Sequence, residues 1–250
     1  MKSFIKSLAE KGGFRIISSA RNAQLEKLDL EAPALLDEIL RLNGASRHSK
    51  AQLRQDVFVL METGFKRGGY FVEFGAADGV HLSNTWLLEK EYHWRGILAE
   101  PARVWHDELR VNRSAKIDTD CVFSTTGHQI EFNMTDIPEL STIAKFSSTD
   151  GHTNSRKSGS IYMVPTISLD NLLERHGAPK EIDYLSIDTE GSEFVILKDF
   201  PFKKWKIQII TVEHNYSAAR NSIADLLYFN GYKRKFEGLS KWDDWYVLDR

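Results

Sequence analysis

Ten residues, Tyr70-Phe71-Val72-Glu73-Phe74-Gly75-Ala76-Ala77-Asp78-Gly79, constrain this chain more than any others. An apolar run ends in a glycine turn, and a second run, Ile97-Leu98-Ala99, ends in Glu100-Pro101. The pattern predicts two buried strands whose carboxyl ends face one crevice, which is where open α/β sheets bind ligands. Gly75 permits the sharp turn, and Gly79 permits a close approach of backbone to a ligand. Glu100 follows Asp78 by 22 positions. A carboxylate ~20 residues beyond a glycine turn is placed to accept ribose hydroxyls.

The alternation of strand and helix continues along the chain. Strands are expected at 70–75, 95–100, 116–122, 129–134, 162–167, 182–187 and 206–212, with helices at 83–91, 102–112, 168–173, 191–198 and 217–229. Two final strands, 231–236 and 245–248, are expected to run antiparallel. The fold class is therefore α/β, with a mostly parallel central sheet and an antiparallel C-terminal edge strand. Residues 1–68 predict an N-terminal helical cap and 69–250 the ligand-binding domain. In the cap, leucines from Leu25 to Leu42 recur at helical spacing around Pro33, Gly44 to Ser49 reads as a turn, and Gln52 to Phe65 as a second helix. Residues 135–160 are rich in Ser, Thr, Gly and Asn and are too long for a plain connection. They predict a mobile or substrate-facing loop, with His152 and Arg156 read as solvated members of it.

A chain of 250 residues with net charge −2 and interspersed signs lacks the basic face of a nucleic-acid binder. No apolar run approaches the ~20 residues of a membrane span. Cys121 is the only cysteine, so no intrachain disulfide forms, which fits a reducing, cytoplasmic setting. Lys2, Lys6, Lys11 and Arg15 alternate with apolar residues at the N-terminus without the continuous apolar core of a signal peptide. The stretch reads as a terminal arm, with an amphipathic helix for a membrane or partner as the alternative.

Acids end successive strands: Glu73 to Asp78, Glu100, Asp120, Asp188 and Glu213. Any one of them could simply meet the dipole of the following helix. Five in succession point to a shared pocket. A nicotinamide site prefers Gly-x-Gly-x-x-Gly, because pyrophosphate must sit on the helix N-terminus. Here Asp78 stands where that phosphate would come. A phosphate-free cofactor fits better, and S-adenosylmethionine, with a sulfonium, an amino-acid end and a ribose, matches acidic residues.

The segments Phe71 to Gly79, Ser83-Asn84-Thr85, Trp94-Arg95-Gly96, Glu100-Pro101 and above all Ile187-Asp188-Thr189-Glu190-Gly191-Ser192-Glu193 resemble the FkbM-type methyltransferases. Gln52 to Asp56 also resembles a segment of that family. The resemblance covers roughly 50–250. It implies a Rossmann-like fold, S-adenosylmethionine as donor, and a hydroxyl on a sugar, glycan or secondary metabolite as acceptor. Carried over by position, it puts Glu73, Gly75, Ala77, Asp78 and Gly79 around the methionine end, together with Ser83 and Asn84. It puts Glu100, followed by Pro101, at the ribose, and Asp120 and Cys121 at the adenine.

Asp188 is the leading catalytic candidate, able to orient an acceptor or take its proton. His214 is either a base, its ordinary pKa lying near ~6.5, or a strand-end hydrogen-bonding group. Asp188, Glu213 and His214 could together hold Mg²⁺, which often uses one or two carboxylates plus substrate and water. Glu190 and Glu193 read as caps of the helix near Gly191, and Trp242 and Trp245 as packing residues. Two rivals stand beside the methyltransferase reading: a nicotinamide-dependent oxidoreductase and a non-enzymatic scaffold of the same fold. The expected partner is a small-molecule or saccharide acceptor, and the N-terminal helices could support a homodimer.

Overall fold

The computed structural model describes residues 36–148 and 153–249. The chain divides into two units, Met1–Arg47 and His48–Arg250. The described residues of the first, 36–47, are helical, and residue 48 of the second is helical too. Gly44 lies inside this helix, so the turn expected at Gly44 to Ser49 begins only at its end. A glycine within a helix costs only about 1 kcal/mol relative to alanine, which helical neighbours on both sides absorb. The terminal arm, the Pro33 break and His152 lie outside the described residues. Among those described, no helix is long and apolar enough to cross a membrane.

The second unit is built on a seven-stranded sheet in the order β10-β11-β9-β8-β1-β2-β3. Its strands are β1 (Tyr70–Phe74), β2 (Arg95–Ala99), β3 (Lys116–Asp118), β8 (Glu181–Ile187), β9 (Lys206–Glu213), β10 (Tyr232–Lys235) and β11 (Asp243–Leu248). The five from β9 to β3 pair in parallel. β11 runs antiparallel to both β9 and β10. The antiparallel strand thus lies one place in from the edge, and β10 is outermost. The helices are α1 (Gln55–Glu62), α2 (Trp86–Tyr92), α3 (His106–Asn112), α4 (Leu169–Arg175), α5 (Glu193–Leu197), α6 (Ala219–Phe229) and α7 (Glu237–Ser240). Ser168 caps α4, its hydroxyl accepting from the Asn171 amide.

The central strands read as near-continuous apolar runs because both faces are covered. Val72, Phe74, Ile97, Leu185, Ile187 and Ile210 are all at most 1% exposed and join one core cluster with Leu227 of α6. α1 is held to the C-terminal hairpin by Gln55 Nε2, which donates to Asp243 Oδ2 at 2.7 Å. Phe58 stacks on Trp245 at 4.8 Å between ring centres.

The strand expected at 116–122 is broken in two. β3 stops at Asp118, whose carboxylate accepts the Asp120 amide at 2.9 Å and turns the chain. β4 (Cys121–Phe123) then joins a separate four-stranded sheet, order β4-β7-β5-β6, with β5 (Gln129–Met134), β6 (Thr142–Ile143) and β7 (Ser160–Ser168).

Behind the glycine turn lies a buried polar hub. The Arg113 side chain is fully buried. It donates to Glu89 at 2.9 Å, to the Gly79 carbonyl and Ser83 Oγ at 3.0 Å, and to Thr85 Oγ1 at 2.8 Å, with Glu73 at 3.8 Å. Gly79 sits at φ +78, and a Cβ there would meet Arg113 Cγ at 2.6 Å. Removing one partner of a buried ion pair typically costs about 3–5 kcal/mol. Arg113→Met is expected to lower unfolding stability by about that amount, measured as a fall in the urea midpoint at constant slope.

Candidate active site

Pairing registers decide what meets at the carboxyl edge of the sheet. Phe74 pairs with Ala99 and with Ile187, and Ile187 pairs with Val212. The next residue on each strand is therefore Gly75, Glu100, Asp188 and Glu213, side by side. Between them lies a cavity of about 370 Å³, within the usual range for small-molecule sites. The ends of β1, β2, β8 and β9 form its floor, Cys121 and Val122 of β4 and Phe132 of β5 one side, and residues 137–143 a strap across it.

Gly75 has φ +72, and a Cβ there would lie 2.0 Å from the Asp188 carbonyl oxygen. Only glycine lets β1 and β8 approach so closely at this point. Ala77, with φ 46, aims its amide at Glu100 Oε2 at 2.9 Å, and the Ala102 amide reaches Glu100 Oε1 at 2.7 Å. Each Glu100 oxygen keeps a lone pair free. Burial pushes the Glu100 carboxyl up to about 7, against the pull of those two amides, with Asp188 and Glu73 adding to the rise.

The Glu73 carboxylate accepts from the Asn84 amide at 2.7 Å, from Ser83 Oγ and from Thr85 Oγ1. It shapes the loop and also borders the cavity. Burial raises its pKa and Arg113 opposes the rise. Asn84 lines the cavity too. Its Nδ2 donates to Ser186 at 2.9 Å, while its buried Oδ1 has no partner.

Several residues expected around the ligand stand back from it. Asp78 turns its carboxylate onto the Val80 and His81 amides at 2.8 and 2.7 Å. Gly79 and Ser83 belong to the Arg113 hub. Asp120 is bound by Arg175 at 2.7 Å. None of these four lines the cavity, whereas Ala77, Pro101 and Cys121 do. Strand spacing marks the neighbourhood, but the turn at Asp118 leaves Asp120 on Arg175, and Asp78 turns one oxygen onto its own loop.

At the far end Asp188, Glu190 and Glu213 bring carboxylate oxygens within 4.8 Å of one another. Asp188 and Glu213 are hydrogen-bonded. Burial raises both pKa values, Glu213 the more, since the charge of Asp188 adds to the effect. The two carboxyls therefore titrate as a hydrogen-bonded pair, and a proton held between them relieves their repulsion. Asn215 Nδ2 bridges Glu213 Oε2 at 2.9 Å and Glu190 Oε2 at 3.3 Å. Arg156 Nη2 donates to Glu190 Oε2 at 2.7 Å. Glu190 is thus not a helix cap. Nor is Glu193, the first helical residue: its Oε1 accepts the Thr189 and Gly191 amides at 3.2 and 2.9 Å and so ties the preceding loop.

His214 is buried outside the cavity lining. Its Nδ1 accepts the Tyr216 amide at 2.9 Å, and its Nε2 faces Asp244 at 3.7 Å. Burial lowers its pKa. It does not join Asp188 and Glu213 as a ligand set. The three clustered acids fit a divalent cation poorly, because Arg156 pairs with Glu190 Oε2 and Asn215 donates to Glu190 Oε2 and Glu213 Oε2.

Arg156, expected in a solvated loop, is only 2% exposed. Gln52, Trp105 and Phe132 also line the cavity, as does the 137–143 strap, which belongs to the 135–160 stretch expected to be mobile or to face substrate. The apolar alternation of 129–134 was visible, but not the fold-over that brings it to the sheet edge. Trp245 packs in the core, while Trp242 Nε1 donates to Gln52 Oε1 at 3.2 Å.

The profile of the methyltransferase FkbM domain matches residues 73–234. A solved structure described as the precorrin-6y C5,15-methyltransferase from Geobacter metallireducens GS-15 superposes with a TM-score of 0.40 at 11% identity, covering 77% of this chain and 85% of that one. No curated protein matches the chain.

Cys121 lines the cavity but is 5% exposed, and burial pushes its thiol up to about 12. It is expected to resist iodoacetamide at pH 8 in the native protein and to react fully in urea, with intact-mass spectrometry as the readout.

Proposed function

Because the chain belongs to the FkbM methyltransferase family, we propose that it is an S-adenosylmethionine-dependent O-methyltransferase acting on a hydroxyl of a sugar, glycan or secondary metabolite. The observation that carries this reading is the Asp188–Glu213 pair, placed in the same cavity as Gly75 and Glu100. The residues present suit the cofactor. Glu100 has two free lone pairs for the ribose hydroxyls, and the Asn84 Oδ1 without a partner suits the amino-acid ammonium. Pro101, Cys121 and Val122, with Phe132 and Ile143, offer an apolar slot for the adenine. When bound, S-adenosylmethionine supplies an electrophilic methyl group on a cationic sulfonium.

The chain's own part is positioning and proton transfer. Asp188, hydrogen-bonded to Glu213, accepts the hydroxyl proton of the acceptor as its oxygen takes the methyl. Proton removal of this kind contributes ~10²–10⁴-fold, and alignment of the in-line displacement supplies much of the rest.

Calorimetric titration of the purified protein with S-adenosylmethionine, S-adenosylhomocysteine and NAD is the direct test. Micromolar binding of the two sulfur nucleosides and none of NAD is expected. NAD binding alone would favour an oxidoreductase. Binding without transfer to any hydroxyl, amine or thiol pool, with or without Mg²⁺, would favour a scaffold.

The nucleoside needs Glu100 ionised, so protonation below about pH 7 opposes binding. S-adenosylhomocysteine affinity is expected to be about tenfold weaker at pH 6 than at pH 8. Glu100→Gln should weaken binding and flatten that dependence. Once an acceptor is found, Asp188→Asn should cut turnover by ~10²–10⁴-fold while leaving S-adenosylhomocysteine affinity within about threefold of wild type. Loss of binding in that variant would move Asp188 from the reaction to the cofactor pocket.

A further inference from the structure

Arg156 joins three parts of the site, and none of the roles described so far uses it. It leaves the loop between β6 and β7, and its side chain is fully buried. Its Nε donates to the Leu140 carbonyl at 2.8 Å, and its Nη2 donates to Glu190 at 2.7 Å. Its own carbonyl accepts from Asn133 Nδ2 at 3.0 Å, which fixes its backbone to β5. A second tie runs alongside: Thr142 Oγ1 donates to the Glu190 carbonyl at 2.8 Å.

Leu140 and its neighbours Pro138, Ser141 and Ile143 are the strap wall of the cavity. Glu190, held at φ 58, lies two residues after Asp188 and shares Asn215 with Glu213. An unbroken polar chain therefore runs from the strap through Arg156, Glu190 and Asn215 to the carboxyl pair. A guanidinium suits this post because its rigid fork can reach a carbonyl and a carboxylate at once. A buried ion pair is an inefficient way to close a loop merely for stability, since apolar residues do as well or better.

We propose that Arg156 is a positioning residue: it holds the 137–143 strap closed over the bound nucleoside and, through Glu190 and Asn215, fixes the orientation of Glu213. The proposal rests on the cavity's being the S-adenosylmethionine site. The bond to Leu140 sets the wall, and the bond to Glu190 sets the acid end, so one side chain couples cofactor closure to the reacting edge.

The test uses the full chain carrying R156Q, R156K, E190Q and the R156Q/E190Q double change. Two quantities are measured: calorimetric affinity for S-adenosylhomocysteine, and hydrogen–deuterium exchange of peptides over 137–143. In wild type, the nucleoside should slow exchange of the strap. R156Q should weaken binding roughly five- to tenfold and leave the strap exchanging fast with or without ligand, while β1, β8 and β9 stay protected. E190Q should do the same, and the double variant should be no worse than either single one. R156K keeps the charge but loses the fork, and should recover only part of the affinity, falling between R156Q and wild type.

Should R156Q fail to fold, E190Q breaks the same pair from the other side. Losses that multiply in the double variant, faster exchange throughout the sheet, or unchanged strap exchange would each overturn the proposal. If wild type binds no S-adenosylhomocysteine, the cofactor reading fails by itself. Strap exchange in the free R156Q protein then still decides the latch, and an unchanged rate overturns it.

Discussion

A buried carboxylate on the central strand organises this fold. Glu73 sits in the middle of the sheet with its charge 3.8 Å from the Arg113 guanidinium, and neither side chain reaches water to any extent. Such groups are tolerable only when each donor and acceptor is matched. The matching supplies the architecture. Ser83, Asn84 and Thr85 close onto Glu73, and Gly79 and Glu89 close onto Arg113. The loop after β1, the start of α2 and the end of α3 are thereby drawn to one point beneath the cavity floor.

On that base, strand register does the rest. Parallel pairing without offset across β2, β1, β8 and β9 puts four strand ends level, and three of those ends carry acids. Their mutual repulsion and burial keep protons on groups that would be ionised in water. The result is a graded edge. Glu100, served by two amides, has its pKa pushed up to about 7, whereas Asp188 and Glu213 are raised together as a hydrogen-bonded pair. Neighbouring carboxyls thus differ through environment alone.

Much of this was readable in the chain. The glycine turn, the acid at Glu100 and the acid at Asp188 follow from local rules about buried runs and what ends them. What sequence spacing misplaced were residues whose roles depend on partners far along the chain. Asp120 looks like a strand-end acid until Asp118 breaks the strand and Arg175 claims it. His214 looks like a base until its lone pair is found on the Tyr216 amide. Arg156, in a polar stretch without periodicity, carries no local sign of burial. Its partners Leu140 and Glu190 lie 16 and 34 residues away.

The cavity draws its floor and its strap from different sheets. The break after Asp118 hands the chain from the seven-stranded sheet to the four-stranded one, and none of the described residues between 129 and 160 pairs with the first. The Glu73–Arg113 hub takes nothing from that excursion. A chain of this architecture can therefore rewrite the wall that meets the acceptor while the ground it stands on is inherited unchanged. Diversity of substrate and constancy of cofactor would then be recorded in separate stretches of one sequence.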